Sequence, residues 1–247
     1  MNDERVAERG SVEHGQLVIP FYLLCDVSSS MNSIMPELSL AVSRLRRAIV
    51  AEPVVDDVAQ VSIIVFSDTA RVLVPMASMS ESEIPRFAAE GGTNYGSAFR
   101  LLAHSIEQDN AKLKEQGYRV FRPCAFFLTD GEPTDSDWHI TFRDTLTYDA
   151  RTGRGLKAHP IFVPLGFRDA SEIVLRQLAY PPNRGKWYHA KNAAAESVLS
   201  EMLQFVMQTV ITAGRSAVTG QPTVMLQPPE AGSGILQGDS EYDPDYI

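Results

Sequence analysis

Cysteine is nearly missing from this 247-residue chain, which has only Cys25 and Cys124. Two cysteines so far apart give no disulfide framework and no closely spaced metal pair. That sets aside small disulfide-stapled folds and cysteine-based zinc modules, and points to the cytoplasm. Basic residues are few and dispersed: 22 Lys and Arg stand against 31 Asp and Glu, for a formal charge of −9, and the longest basic run is Arg46-Arg47. A surface of that sign repels polyanions, which argues against nucleic acid and anionic membranes as partners. No apolar run approaches the roughly 18 residues of a membrane-spanning helix. Residues 1–15 are polar and mixed in charge, unlike a signal peptide. The five histidines (His14, His104, His139, His159 and His189) are scattered, with no pair at helical spacing to suggest zinc. The phosphate-cradling patterns Gly-x-x-x-x-Gly-Lys-Ser/Thr and Gly-x-Gly-x-x-Gly are lacking too, which leaves nucleotide binding through those loops without support.

Apolar material is plentiful: 44% of residues are hydrophobic and 21% charged, an ordinary globular balance. The negative charge is uneven. From Ser216 onward there are five acids (Glu230, Asp239, Glu241, Asp243, Asp245) and no base, whereas residues 17–215 carry 22 acids and 20 bases. Three domains of organisation follow: a loose leader over residues 1–16, a folded body over 17–215, and an acidic, Pro- and Gly-rich disordered tail over 216–247.

Within the body, the runs 17–25, 123–128 and 159–166 are apolar at almost every position, the mark of parallel strands covered on both faces. Pro20 predicts a break near the start of the first. The β-branched runs 60–66 and 71–75, joined by Ser67-Asp68-Thr69, read as an antiparallel hairpin at one edge. A short last strand covers 187–189. Helices are expected near 35–51, 97–108, 142–150, 170–179 and 193–213. Alternating strands and helices predict an α/β fold: a doubly wound, mostly parallel central sheet with helices on both faces and one antiparallel edge strand.

Ligands of such sheets bind at the carboxyl ends of strands, and Asp26 and Asp130 stand at two of those ends. Asp26, Ser28 and Ser30 share one loop at two-residue spacing and can converge on a point. Thr93 lies on the glycine-rich loop Gly91-Gly92-Thr93-Asn94-Tyr95-Gly96. Two carboxylates and three hydroxyls form a hard-oxygen donor set, suited to Mg²⁺, Mn²⁺ or Ca²⁺ and wrong for structural zinc. This arrangement resembles the metal-ion-dependent adhesion site of von Willebrand factor A (vWA) domains, whose order is Asp-x-Ser-x-Ser, then Thr, then Asp-Gly. Here it reads Asp26-Val27-Ser28-Ser29-Ser30, Gly91-Gly92-Thr93 and Thr129-Asp130-Gly131, and the resemblance extends over about 17–215. The segments Phe21 to Asp26 and Thr129-Asp130-Gly131-Glu132-Pro133-Thr134-Asp135 are most similar to the bacterial TerY-like branch.

The resemblance implies a cytoplasmic, monomeric, non-enzymatic interaction module. Mg²⁺ (with Mn²⁺ or Ca²⁺ as alternatives) would be held by Asp26, Ser28, Ser30, Thr93 and Asp130, and a protein partner would supply an Asp or Glu to the metal. The TerY-like likeness implies a tellurium-resistance or stress-signalling complex with a phosphatase and a kinase. The alternatives are a partner subunit of an AAA+ ATPase or metal chelatase, and a metal-dependent phosphoester hydrolase on the same fold. A haloacid-dehalogenase-like phosphatase would need a second Asp two residues after Asp26, where Ser28 stands. The serine loop also lacks a Gly-x-Ser-x-Gly elbow.

Plainer readings exist for several of these residues. Asp26-Ser28-Ser30 can be a helix cap with turn serines, and Gly91-Gly92 a flexible turn. Glu132, Asp135 and Asp137 make either a second ion site or a solvated acidic turn. Trp138 is either a rim contact for a partner or a residue packed on the domain. Cys25 and Cys124 should lie on neighbouring strands but about 16 Å apart along them at ~3.3 Å per residue, too far to bridge. The tail acids Glu241, Asp243 and Asp245 could serve the metal site or merely solubilise the end of the chain.

Overall fold

The computed structural model describes residues 15–190, 194–226 and 234–243. The leader expected over 1–16 lies outside that range except for its last two residues. The elements in chain order begin with β1 (Leu17–Asp26), a 3₁₀ turn (Ser29–Ile34), α1 (Met35–Val50), α2 (Pro53–Val58), β2 (Ala59–Phe66) and β3 (Ala70–Ala77). Next come α3 (Tyr95–Glu115), β4 (Arg119–Val120), β5 (Cys124–Thr129), α4 (Trp138–Leu146), β6 (Tyr148–Asp149) and β7 (Arg154–Gly155). The last elements are β8 (Ile161–Phe167), α5 (Glu172–Leu178), β9 (Lys186–Ala190), α6 (Ala195–Val218) and β10 (Ile235–Asp239).

One sheet has the order β10-β9-β8-β5-β1-β2-β3, with the short β4 also pairing β1. The β2-β1-β5-β8-β9 pairings are parallel, and β3 runs antiparallel on β2 as the hairpin pattern predicts. Every residue of β2, β5 and β8 is buried, as apolar runs covered on both sides require. Side-chain alternation divides β1 between two cores. Phe21, Leu23 and Cys25 pack with Leu38, Val42 and Leu45 of α1 and with Leu199, Met202 and Val206 of α6. Tyr22 and Leu24 pack on the opposite face with Tyr95, Phe99 and Leu102 of α3 and Phe142 of α4.

The strand order explains where a site can form. From β1 the chain goes outward through β2 and β3, then crosses to β5 on the other side of β1 and continues outward to β8 and β9. Connections therefore diverge between β1 and β5, the point beyond whose carboxyl ends sheets of this kind place their ligands. Asp26 ends β1, and Asp130 follows the last residue of β5.

Three details differ from the sequence expectations. Pro20 does not break β1. It falls between the two residues paired with β4 and the first residue paired with β5, so the missing N–H costs no ladder bond on that flank. Cys124 pairs with Phe21 and Cys25 with Leu128, an offset of four residues, or about 13 Å, rather than the expected 16 Å. Both cysteines are free and buried, and burial pushes both thiols well above their ordinary range.

The third difference concerns the tail. Residues 216–218 continue α6, and Ile235–Asp239 form β10, antiparallel on the outer edge of β9. The sheet thus has a second antiparallel edge strand, where sequence composition suggested disorder. Gly238 lies flat against the Trp187 ring, where any Cβ would come within 2.6 Å. The Trp187 indole N–H donates to the Asp239 carbonyl at 3.0 Å. Tyr242 then packs edge-on against Tyr180, with ring centroids 5.1 Å apart. Two tail acids are engaged at this edge, Asp239 with Lys186 and Glu241 with Arg176. Asp245 lies outside the described residues.

Candidate metal centre

Four loops meet at the carboxyl end of the sheet. The first follows β1. Asp26 is fully buried, and its Oδ1 accepts the Ser28 N–H at 2.8 Å. Ser28 stands in the N-cap position of the 3₁₀ turn, yet its hydroxyl makes no capping bond. It lies 3.0 Å from Ser30 Oγ instead, and Ser30 Oγ donates to Asp130 Oδ1 at 2.6 Å. The plain capping explanation of these serines therefore does not describe what their hydroxyls do.

The second loop, 91–94, is held rather than flexible. Gly91 has φ +71, and a Cβ there would come within 2.4 Å of Asp68 Oδ2. Asp68 Oδ1 accepts the Gly92 N–H at 2.8 Å. The Gly91 carbonyl accepts both the N–H and the hydroxyl of Ser29, each at 3.0 Å, and the Glu90 N–H donates to the Val27 carbonyl. These bonds fasten the Thr93 loop to the Asp26 loop. Thr93 is itself buried, and its carbonyl accepts the Thr134 N–H from the third loop at 2.9 Å.

The third loop follows β5. Asp130 is buried, with only 2% of its surface exposed. Asp135 is not a freely solvated acid. Its two oxygens accept the Tyr95 and Gly96 N–H groups, each at 2.8 Å, which caps α3 from another loop. A carboxylate at a helix N-terminus also complements the helix dipole. Trp138 packs on the domain, edge-on to the buried Tyr95 ring at 6.4 Å.

Four of the five residues singled out from sequence thus form one hydrogen-bonded chain: Asp26, Ser28, Ser30 and Asp130. Thr93 bonds none of them directly; its loop is tied to theirs by the Gly91–Ser29 and Glu90–Val27 bonds. Two further residues were not singled out. Thr129 donates its hydroxyl to Asp26 Oδ2 at 2.7 Å, and the Tyr95 hydroxyl lies behind it, donating to the Gly131 carbonyl at 2.8 Å. The signal was present as a hydroxyl closing an otherwise all-apolar strand. The other is Arg168, in the fourth loop after β8. Its Nη1 donates to Asp130 Oδ2 at 3.1 Å and to the Ser30 carbonyl at 2.9 Å, and its Nη2 to Ser33 Oγ at 3.0 Å. Nothing in the spacing of the chain marks it, because the contact exists only once β8 lies beside β5.

The electrostatics are those of a site short of positive charge. Burial pushes the Asp26 carboxyl up to about 6. Hydrogen bonds from Ser28 and Thr129 oppose that rise, and the neighbouring Asp130 adds to it. A cation beside Asp26 and Asp130 would relieve both the burial and the mutual repulsion. Among the described residues no three His, Cys, Asp or Glu side chains cluster as ligands. The donors here are two carboxylates and hydroxyls, a set that fits a hard divalent ion.

Residues 21–132 match the family model of the von Willebrand factor type A domain, a stretch that contains all five of these residues. The observed fold agrees with that match. Solved structures of similar fold include the ArnB paralog VWA2 from Sulfolobus acidocaldarius, with 19% identity and a TM-score of 0.51 over 79% of this chain and 46% of that one. Proximal thread matrix protein 1 from the mussel byssus gives 15% identity and 0.52, over 80% and 49% of the two chains. The pilus adhesin SpaC from Lactobacillus rhamnosus GG in its open conformation gives 15% and 0.54, over 81% and 30%. This chain therefore spans less than half the length of each of these proteins, and at such identities the likeness concerns the fold alone. No curated protein sequence matches the chain significantly. No helix among the described residues is long and apolar enough to cross a membrane.

Proposed function

We propose that this protein is a metal-dependent protein-interaction module. In this reading Asp26, Ser28, Ser30, Thr93 and Asp130 hold one Mg²⁺, and a partner protein completes the metal's shell with an Asp or Glu. The observation that carries the reading is the convergence of Asp26, Ser28, Ser30 and Asp130 oxygens at the β1/β5 divergence, around a carboxyl that burial makes costly to ionise. Hydroxyl ligands neutralise little of the ion's charge, so the metal stays electrophilic toward an incoming carboxylate, and excluding water strengthens that bond. Two of the similar folds belong to proteins named as a pilus adhesin and a thread matrix protein, which is the kind of role such a module serves.

The likeness of Thr129 to Asp135 to the TerY-like branch extends the proposal to a cytoplasmic stress- or tellurium-linked signalling complex whose partners are a phosphatase and a kinase. The test is isothermal titration of Mg²⁺ and Mn²⁺ into the native protein and into Asp26→Ala and Asp130→Ala, followed by affinity capture with and without chelator. Loss of metal binding in both variants, with capture of an acidic-loop partner only when metal is present, is expected. Unchanged capture in chelator would refute the interaction reading. Phosphoester turnover abolished by Asp130→Ala would replace it with the hydrolase.

A further inference from the structure

We infer that Arg168 is a resident counter-cation of this centre, which a divalent ion must displace from Asp130 in order to bind. The inference rests on the metal-site reading above and deepens it. Asp130 has 1% of its side chain exposed, and a buried carboxylate without a compensating charge is strongly disfavoured. Its Oδ1 is engaged by the Ser30 hydroxyl and its Oδ2 by the Arg168 guanidinium. The same guanidinium reaches the Ser30 carbonyl and Ser33 Oγ, so one planar fork ties the loop after β1 to the loop after β5.

The backbone is arranged to deliver that fork. Arg168 has φ +52, the left-handed region that a non-glycine residue occupies only at a cost, and it is the one such residue among those described. The Asp169 N–H donates to the Asp130 carbonyl at 3.0 Å, which pins the turn across the end of β5. Because 30% of the Arg168 side chain is exposed, it can swing into solvent without opening the core.

A guanidinium and a divalent ion on one carboxylate repel each other at a separation of a few ångströms, where solvent screening is weak. Metal and Arg168 therefore exclude one another at Asp130. Loading the centre releases the tie between the loops after β1, β5 and β8, and leaves a free guanidinium at the rim.

Mn²⁺ titration of the native protein, Arg168→Gln and Arg168→Lys, followed by calorimetry, tests this, with thermal midpoints recorded in chelator and in saturating Mn²⁺. Arg168→Gln should bind Mn²⁺ at least tenfold more tightly than the native protein, with Arg168→Lys between them. In chelator Arg168→Gln should melt below the native protein, and in Mn²⁺ the gap should close. Equal or weaker Mn²⁺ binding by a folded Arg168→Gln would overturn the inference while leaving the metal site standing. Failure of both the native protein and Arg168→Gln to bind Mn²⁺ would refute the metal-site reading, and this inference with it.

Discussion

Asp26→Asn separates what the buried carboxylate costs the fold from what it contributes to metal binding. Asp26 is fully buried, and its carboxyl is pushed from 3.8 to about 6, chiefly by burial. A rise of that size disfavours the ionised form by about 3 kcal/mol. The folded chain holds this proton more tightly than the unfolded chain does. Stability from the group is therefore complete below about pH 4, declines as pH rises through about 6, and is gone by pH 8. Asn has nearly the same shape and carries no charge at any of these pH values. Its carbonyl oxygen can still accept the Ser28 N–H, and its amide faces Thr129 Oγ1, whose proton can turn to the Gly131 carbonyl 3.3 Å away.

In chelator at pH 8, Asp26→Asn should therefore be more stable than the native protein by about 2–3 kcal/mol, and at pH 4 the two should coincide. Urea unfolding at both pH values reads this as a shift in midpoint at constant slope. Saturating Mn²⁺ at pH 8 should reverse the order. A ligand at a thousand times its Kd adds about 4.1 kcal/mol to the native protein, enough to overturn that difference, whereas the variant lacks a charged ligand and gains little. A variant less stable than native in chelator at pH 8 would refute the burial argument. Equal stabilisation of both proteins by Mn²⁺ would remove Asp26 from the ligand set.

Asp135→Ala should lower stability by about 1–2 kcal/mol in urea unfolding, the value of a good helix cap, because it leaves the Tyr95 and Gly96 N–H groups without their acceptor while Asn94 still caps Ser97; Glu132→Ala on the same loop should stay within about 0.5 kcal/mol. Removing residues 234–247 should uncover Trp187, shift tryptophan emission to the red and lower the thermal midpoint, with Mn²⁺ affinity unchanged, since Gly238 and Asp239 cover that ring. If emission does not change, β10 does not pack there in solution. A disulfide reagent at pH 8 should label neither Cys25 nor Cys124 in the native protein and both in denaturant, because burial disfavours both thiolates.

What the sequence revealed and what it hid divide along one physical line. A strand buried on both faces must be apolar at every position, so β1, β5 and β8 were legible. A carboxylate straight after such a run has nowhere to lie except the rim of the sheet, so Asp26 and Asp130 were legible too. The serines followed because their loop leaves the first of those strand ends, and Thr93 stood out on the glycine-rich loop just before α3. Each of these inferences needs one segment and the periodicity of its own side chains. Arg168, Asp135 and β10 owe their roles to neighbours distant in sequence. Asp135 caps a helix that begins 40 residues earlier, and Arg168 reaches an acid 38 residues away across β5 and β8. The run Ile235-Leu236-Gln237-Gly238-Asp239 has no strand pattern strong enough to stand alone, and it becomes a strand because the edge of β9 offers unpaired backbone and a flat indole. The charge asymmetry has the same explanation. The excess acids of the tail looked like a solvated end, but Asp239 and Glu241 meet Lys186 and Arg176 along the edge that β10 covers. Exposed pairs of this kind are worth little individually, so they set the register of an edge strand whose stability comes from covering Trp187 and seating Tyr242.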